Sequence, residues 1–227
     1  MTGFGLKIVA LISMLCDHSG LIFLGNPSYL NIIGRISFPI FAFQISEGYV
    51  YTKNLKKYIS RLAWFAIISQ IPFMLFLKSV NLNIYVLNIF FTLLLGLSSI
   101  TIYDKIKTKY NNKYLGFLPV ILFIYLGQFC KCDYGWYGVS IIFLFYLFKE
   151  NKLFMNISVI FLMIIKYLIN YLYSTNIYQL SFATGAILSL LFINFYNNKK
   201  GKNIKYLLYI FYPLHLIVLY LLKVYIL

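Results

Sequence analysis

The sequence predicts an all-α integral membrane protein, a polytopic bundle of about nine transmembrane helices. Three observations predict it. The 227 residues are 62% hydrophobic and only 11% charged, with a mean hydropathy of +0.82, whereas soluble domains are about 45–50% apolar and about 25% charged. Apolar runs of 18 or more residues recur from end to end, each long enough to cross roughly 30 Å of hydrocarbon. The runs lack the polar–apolar alternation of barrel strands, and helices satisfy their own backbone groups in lipid.

Taken in chain order, the first apolar run covers residues 4–24. It is too long for the apolar region of a signal peptide, and Gly25-Asn26-Pro27 after it reads as a turn rather than a cleavage site. Further breaks fall at residues 52–56, 78–83, 104–113, 131–135, 149–152, 174–176 and 197–203, leaving nine spans. The sixth, at about residues 136–148, is short and open to a second reading as a re-entrant helix. No long linker, soluble domain or internal repeat interrupts the pattern, so residues 1–227 read as one helical membrane domain.

The net charge of +15 is informative once placed. Lys7, Lys53, Lys56, Lys57, Arg61, Lys105, Lys107, Lys109, Lys113, Lys149, Lys152, Lys199, Lys200, Lys202 and Lys205 fall on one side of the nine-span layout. Only Lys78, Lys131 and Lys223 fall on the other. This asymmetry places the N-terminus in the cytoplasm and the C-terminus outside, in the plasma membrane. The lysines suit the anionic headgroups of the lipid bilayer, and nucleic acid is not needed to explain them.

Ionisable groups within spans are costly and are functional candidates by default. Asp17 and His18 stand in the first span, Arg35 and Glu47 in the second, Lys166 in the seventh and His215 in the ninth. Asp17 and Arg35 each lie about seven residues from the outer ends of two helices joined by a tight turn, so they can pair at matched depth. Asp17 points about 100° away from His18 on the helix, which makes it a partner for Arg35 rather than an orienter of the imidazole. His18 reads either as a hydrogen-bonded packing histidine or as a general base that removes a proton from an attacking amine or hydroxyl. His215 is in position to approach it at mid-depth.

Lys7 precedes His18 by eleven residues, about 16 Å along one helix face. It suits either a positive-inside anchor or a contact for the anionic head of a long ligand such as a nucleotide-headed thioester. Glu47 fits an ion pair at the inner mouth, and Lys166 a snorkelling or pocket lysine. Gln70 and Asn88 are polar groups of the outer half, with Pro72 as a kink. Asp133-Tyr134-Gly135-Trp136-Tyr137-Gly138 enters a span from the outer side and fits an interfacial aromatic belt or the mouth of a site. The three cysteines and two histidines match no zinc set. No Walker loop, GxSxG or HExxH is present.

The polar blocks together resemble one family. Leu6-Lys7 followed by Asp17-His18-Ser19-Gly20, then Ile33-Gly34-Arg35-Ile36-Ser37-Phe38-Pro39 with Glu47-Gly48, look like the first two helices of the TraX family of membrane proteins. Ser69-Gln70-Ile71-Pro72, Asn88 with Thr92 and Gly96, the Asp133–Gly138 block and Phe211-Tyr212-Pro213-Leu214-His215 follow in family order. The resemblance implies an acetyl-CoA-dependent acyltransferase without a metal. The founding TraX protein acetylates the N-terminus of conjugative pilin, and a related membrane group acylates sugars. It therefore implies acyl-CoA as cosubstrate and a protein N-terminus or surface glycan as acceptor. His18, Asp17, Arg35 and His215 are the implied catalytic set, with Lys7 and Arg61 for the coenzyme. Lys7 stands where Arg is commoner, and the two are not equivalent at phosphates. Glu47, Gln70, Asn88, Asp133, Trp136 and Tyr137 are the implied substrate contacts. A transporter or flippase whose charges line a pathway, and a non-catalytic assembly protein, are the competing readings.

Overall fold

A computed structural model describes residues 1–25, 27–202 and 205–226. Ten helices follow one another among them: α1 (Gly3–Phe23), α2 (Tyr29–Gly34), α3 (Ser37–Tyr51), α4 (Leu55–Ser79), α5 (Ile89–Tyr110), α6 (Lys113–Phe129), α7 (Gly135–Leu147), α8 (Lys152–Ser174), α9 (Tyr178–Asn194) and α10 (Lys205–Tyr225). The described residues contain no strand beyond an isolated bridge between Leu87 and Cys132. Five helices, α1, α4, α5, α8 and α10, are long and apolar enough to cross a membrane. The apolar α6, α7 and α9 are shorter. On α4 the outward row Trp64, Ile67, Ile68 and Ile71 is more than half exposed. Spacing of three and four residues makes this one apolar face turned away from the protein, the reverse of a soluble helix.

Two elements differ from the layout expected of the sequence. The second expected span is two helices, α2 and α3, separated at Arg35 and Ile36. Pro39, in the first turn of α3, has no N–H for the carbonyl of Arg35 and its ring crowds that carbonyl, which weakens the helix at the point where it breaks. Pro72, Pro119 and Pro213 are nonetheless accommodated inside α4, α6 and α10. The Ser37 hydroxyl donates to the Gly34 carbonyl at 2.8 Å and closes the break. The expected loop at 104–113 contracts to residues 111–112, because α5 runs on to Tyr110. Asp104 thus belongs to a helix, where the hydroxyls of Tyr49 and Tyr146 both donate to its Oδ2.

The chain divides into two compact units, and the boundary falls inside α3 and α4. The first comprises residues 1–41, 72–84 and 152–227. In it α1 packs on α2 and α10, α2 on α9, and α8 on α9. The N–H groups of Gly3 and Phe4, which lack intrahelical acceptors, donate to the carbonyls of Lys199 and Lys200 at 2.8 and 3.0 Å. This pins the start of α1 to the segment before α10. The second unit comprises residues 42–71 and 85–151, with α5, α6 and α7 packed on one another. α7 spans 13 residues and is apolar nearly all round, with Tyr137, Val139, Ile141, Ile142 and Phe145 at most 1% exposed. At about 20 Å it is too short to cross alone, and it forms the core of its unit.

Candidate functional site

The polar site of the first unit grows from the turn between α1 and α2. Ser28 caps α2, its N–H and hydroxyl both donating to Oδ1 of Asn31 at 3.0 and 2.7 Å. The Asn31 amide nitrogen donates to the Asp17 carbonyl at 2.8 Å and to Asp17 Oδ1 at 3.0 Å. Fully buried Asn31 thereby uses its whole side-chain capacity, its oxygen on the cap of α2 and both amide protons on one residue of α1. One turn further, Arg35 donates from Nη2 to the same Asp17 oxygen at 3.1 Å. This is the ion pair that matched depth predicts. Its side chains are 22% and 12% exposed, so each charge depends on the other. The break before α3 sets Arg35 at the C-terminal end of α2, where the helix dipole favours a cation. Its guanidinium also lies over the Phe182 ring at 4.9 Å.

Two glycines permit this closeness. A Cβ at Gly34 would overlap the Asp17 side chain, and one at Gly185 of α9 would overlap the Ile32 carbonyl oxygen. No other residue lets α1, α2 and α9 meet at these depths without backbone movement.

His18 follows Asp17 on α1 and turns to a different neighbour. Its Nδ1 lies 2.8 Å from Nε2 of His215 on α10, and His215 Nδ1 donates to the Phe211 carbonyl at 2.7 Å. The Phe211 ring stacks on His215 at 4.9 Å and 14°, and Phe76 meets His18 edge-on at 5.0 Å. His215 is 5% exposed, while His18 is half-buried. No other side chain or backbone group among the described residues hydrogen-bonds His18. Arg35 is near enough for its charge to act on the His18 ring and on buried Tyr167 of α8. The four residues of the implied catalytic set thus stand together in one unit: a cation held by a carboxylate, and beside it a pair of hydrogen-bonded imidazoles. Chemically, this can accept a proton and stabilise nearby negative charge.

The other candidates divide between the units. Lys7 is half-buried near the start of α1, with Lys200 as an electrostatic neighbour. Arg61, in the second unit, lies over the Tyr58 ring at 5.8 Å. Glu47 is half-buried on α3, one residue before Gly48, which packs against the Tyr58 side chain. Gln70 and Asn88 bond each other at 2.9 Å. Asn88 also donates to the Ala66 carbonyl at 2.7 Å and caps α5 by accepting from the Phe90 N–H at 3.0 Å, and Gln70 donates to the Val86 carbonyl at 2.9 Å. Both are committed to joining α4 to α5. Asp133 pairs its N–H with the Leu87 carbonyl at 2.7 Å, and its own carbonyl accepts from the Thr92 hydroxyl. Tyr137 is 1% exposed and half-buried Trp136 meets it edge-on at 6.3 Å. Beside them, burial pushes the Cys132 thiol up to about 11. No metal-binding group of His, Cys, Asp and Glu occurs among the described residues.

Sequence reasoning missed Asn31, Phe76, Phe182 and the Phe211 carbonyl. Only Asn31 carries a local signal, since Ser28-x-x-Asn31 is a capping pattern and Asn31 lies one helical turn before Arg35.

Fold and site define a helical multi-pass membrane protein with an ion pair and a histidine pair set among apolar helices. The profile of one family, described as "TraX protein", matches residues 3–223, and the chain belongs to the TraX family. Among curated proteins it is similar to the "Probable fimbrial assembly protein FimC, serogroup H1" of Dichelobacter nodosus. The two are 28% identical over 236 residues, covering 96% of this chain and 94% of that protein. No solved structure matches.

Proposed function

We propose that the chain is a membrane acyltransferase that moves an acetyl or other acyl group from acyl-CoA to an amine or hydroxyl acceptor. The observation that carries this reading is the imidazole of His18, held by His215 beside the Asp17–Arg35 pair in a chain of the TraX family. The acceptor nitrogen or oxygen attacks the thioester carbonyl carbon as His18 takes its proton. The carbon–sulfur bond then breaks, and the proton passes from His18 to the departing thiolate, giving an amide or ester and free CoA. Arg35 is the cation best placed to meet negative charge on the thioester oxygen. On the positive-inside reading of the sequence the basic helix ends face the cytoplasm, with Lys7 as the candidate contact for the coenzyme phosphates and Arg61, in the second unit, as a separate candidate. The acceptor is a protein N-terminus or a surface glycan. The fimbrial assembly role in the name of the Dichelobacter relative makes a fimbrial subunit the first acceptor to try.

The test is acyl transfer by the purified protein in detergent, with wild type compared against His18→Ala and Lys7→Ala. Release of CoA that is lost in His18→Ala, with acyl-CoA binding weakened in Lys7→Ala, supports the reading. Full transfer by His18→Ala overturns it. A folded protein that binds no acyl-CoA at millimolar concentration leaves the assembly role in the relative's name as the better reading.

A further inference from the structure

The hydrogen-bond chain through the two histidines has a direction. The Phe211 carbonyl can only accept, so the proton between it and His215 belongs to His215 Nδ1. The Tyr212 carbonyl, also in reach of that imidazole, can likewise only accept. A neutral imidazole with its proton on Nδ1 has a lone pair on Nε2. That lone pair faces His18 Nδ1 at 2.8 Å. The proton between the rings therefore belongs to His18 Nδ1, and the lone pair of His18 is left on its Nε2. An unconstrained histidine prefers the opposite tautomer, with the proton on Nε2.

We infer that His215 is a positioning residue, which selects the Nδ1–H tautomer of His18 and so makes His18 Nε2 the basic atom of the site. The inference rests on the reading of His18 as the general base. Three features fix the arrangement. The Phe211 ring stacked at 14° sets the plane of His215, its own backbone carbonyl anchors Nδ1, and Phe76 edge-on at 71° sets the plane of His18. A base whose second nitrogen is held by an orienting acceptor is the arrangement by which one imidazole becomes directional. The acceptor is itself an imidazole. When His18 Nε2 takes a proton, the new positive charge is therefore shared across the Nδ1–H···Nε2 bond. Its far end lies on the Phe211 carbonyl dipole. Asp17, adjacent in sequence, is bonded instead to Arg35 and Asn31 through Oδ1, while the two imidazoles are joined to each other and to the Phe211 carbonyl.

The test begins with nitrogen NMR of histidine-labelled wild-type protein in micelles, assigned with the His18→Ala and His215→Ala variants. It requires no acyl transfer. The expected result is His18 protonated on Nδ1 and bare on Nε2 in the wild type, with reversion toward the Nε2–H form in His215→Ala. His18 carrying its proton on Nε2 in the wild type overturns the inference. His215→Gln is the conservative variant, because Gln Oε1 stands near the position of imidazole Nε2 and can accept from His18 Nδ1. In the transfer assay, His215→Ala is expected to lower kcat by about 100-fold with an unchanged KM for acyl-CoA, and His215→Gln to restore most of it. Equal losses in both variants, at matched thermal stability, sink the positioning role. If His18→Ala keeps full activity, the general-base reading falls, and the spectrum alone then decides the tautomer.

Discussion

Removing either member of the Asp17–Arg35 pair is expected to destabilise the first unit, and removing both is expected to cost less than the sum. Asp17 Oδ1 receives Arg35 at 3.1 Å and Asn31 at 3.0 Å, from side chains at most 22% exposed. Asp17→Ala deletes both bonds and takes the carboxylate away from a guanidinium that packs over the Phe182 ring. Bonds to charged groups contribute about 1.5–3 kcal/mol each, and breaking one side of a buried pair costs about 3–5 kcal/mol. Residual exposure puts this site near the lower end, at about 3 kcal/mol, or about 6–12 °C in Tm for a chain of this size. Arg35→Met leaves the carboxylate with the Asn31 amide bond but without its counter-charge, and should cost a similar amount. In the double variant neither charge remains, so the cycle should show a coupling of about 1–3 kcal/mol. The assay is thermal unfolding of the four proteins in one detergent, followed by intrinsic fluorescence. Single variants within about 0.5 kcal/mol of wild type, or losses that simply add, would show that the pair does not organise this turn.

Gly185→Ala should lower stability by about 1–3 kcal/mol, because its Cβ meets a backbone oxygen that cannot rotate away. Gly5→Ala crowds the flexible Met1 side chain and makes only an ordinary contact with Thr2 Oγ1, so it should be neutral or slightly stabilising. Thermal unfolding of the two side by side checks both. Asn88→Ala should cost about 2 kcal/mol through the lost cap of α5 and the lost bonds to the Ala66 carbonyl and to Gln70 Oε1. The KM for acyl-CoA should stay unchanged in the folded fraction, since every Asn88 bond is internal. On the proposed orientation, exposed Cys130 should react with a membrane-impermeant maleimide in intact cells, whereas intramembrane Cys16 and buried Cys132 should not. Labelling of Cys130 only after lysis would reverse the orientation.

Hydropathy alone determined that the chain is helical and lives in a membrane, because a bilayer demands about 20 apolar residues per crossing whatever the fold. The Asp17–Arg35 pair was legible too, since a tight turn between antiparallel helices fixes which depths face each other. Signals confined to neighbouring residues misled in two places. A basic run drew the expected loop over residues 104–113, although Asp104 is held inside α5 by two tyrosines. A continuous apolar stretch masked the break at Arg35, although Pro39 was there to read. Only the tertiary structure decided the rest. His18 and His215 are 197 residues apart, and no periodicity reports which faces of α1 and α10 meet. Asn31 became an anchor for Asp17 because Gly34 and Gly185 let backbones approach within one side chain's reach. Composition chooses the solvent and the helix, and both are properties of short segments. Which imidazole faces which depends on the packing of helices distant in sequence, and that is settled only when all of them are in place.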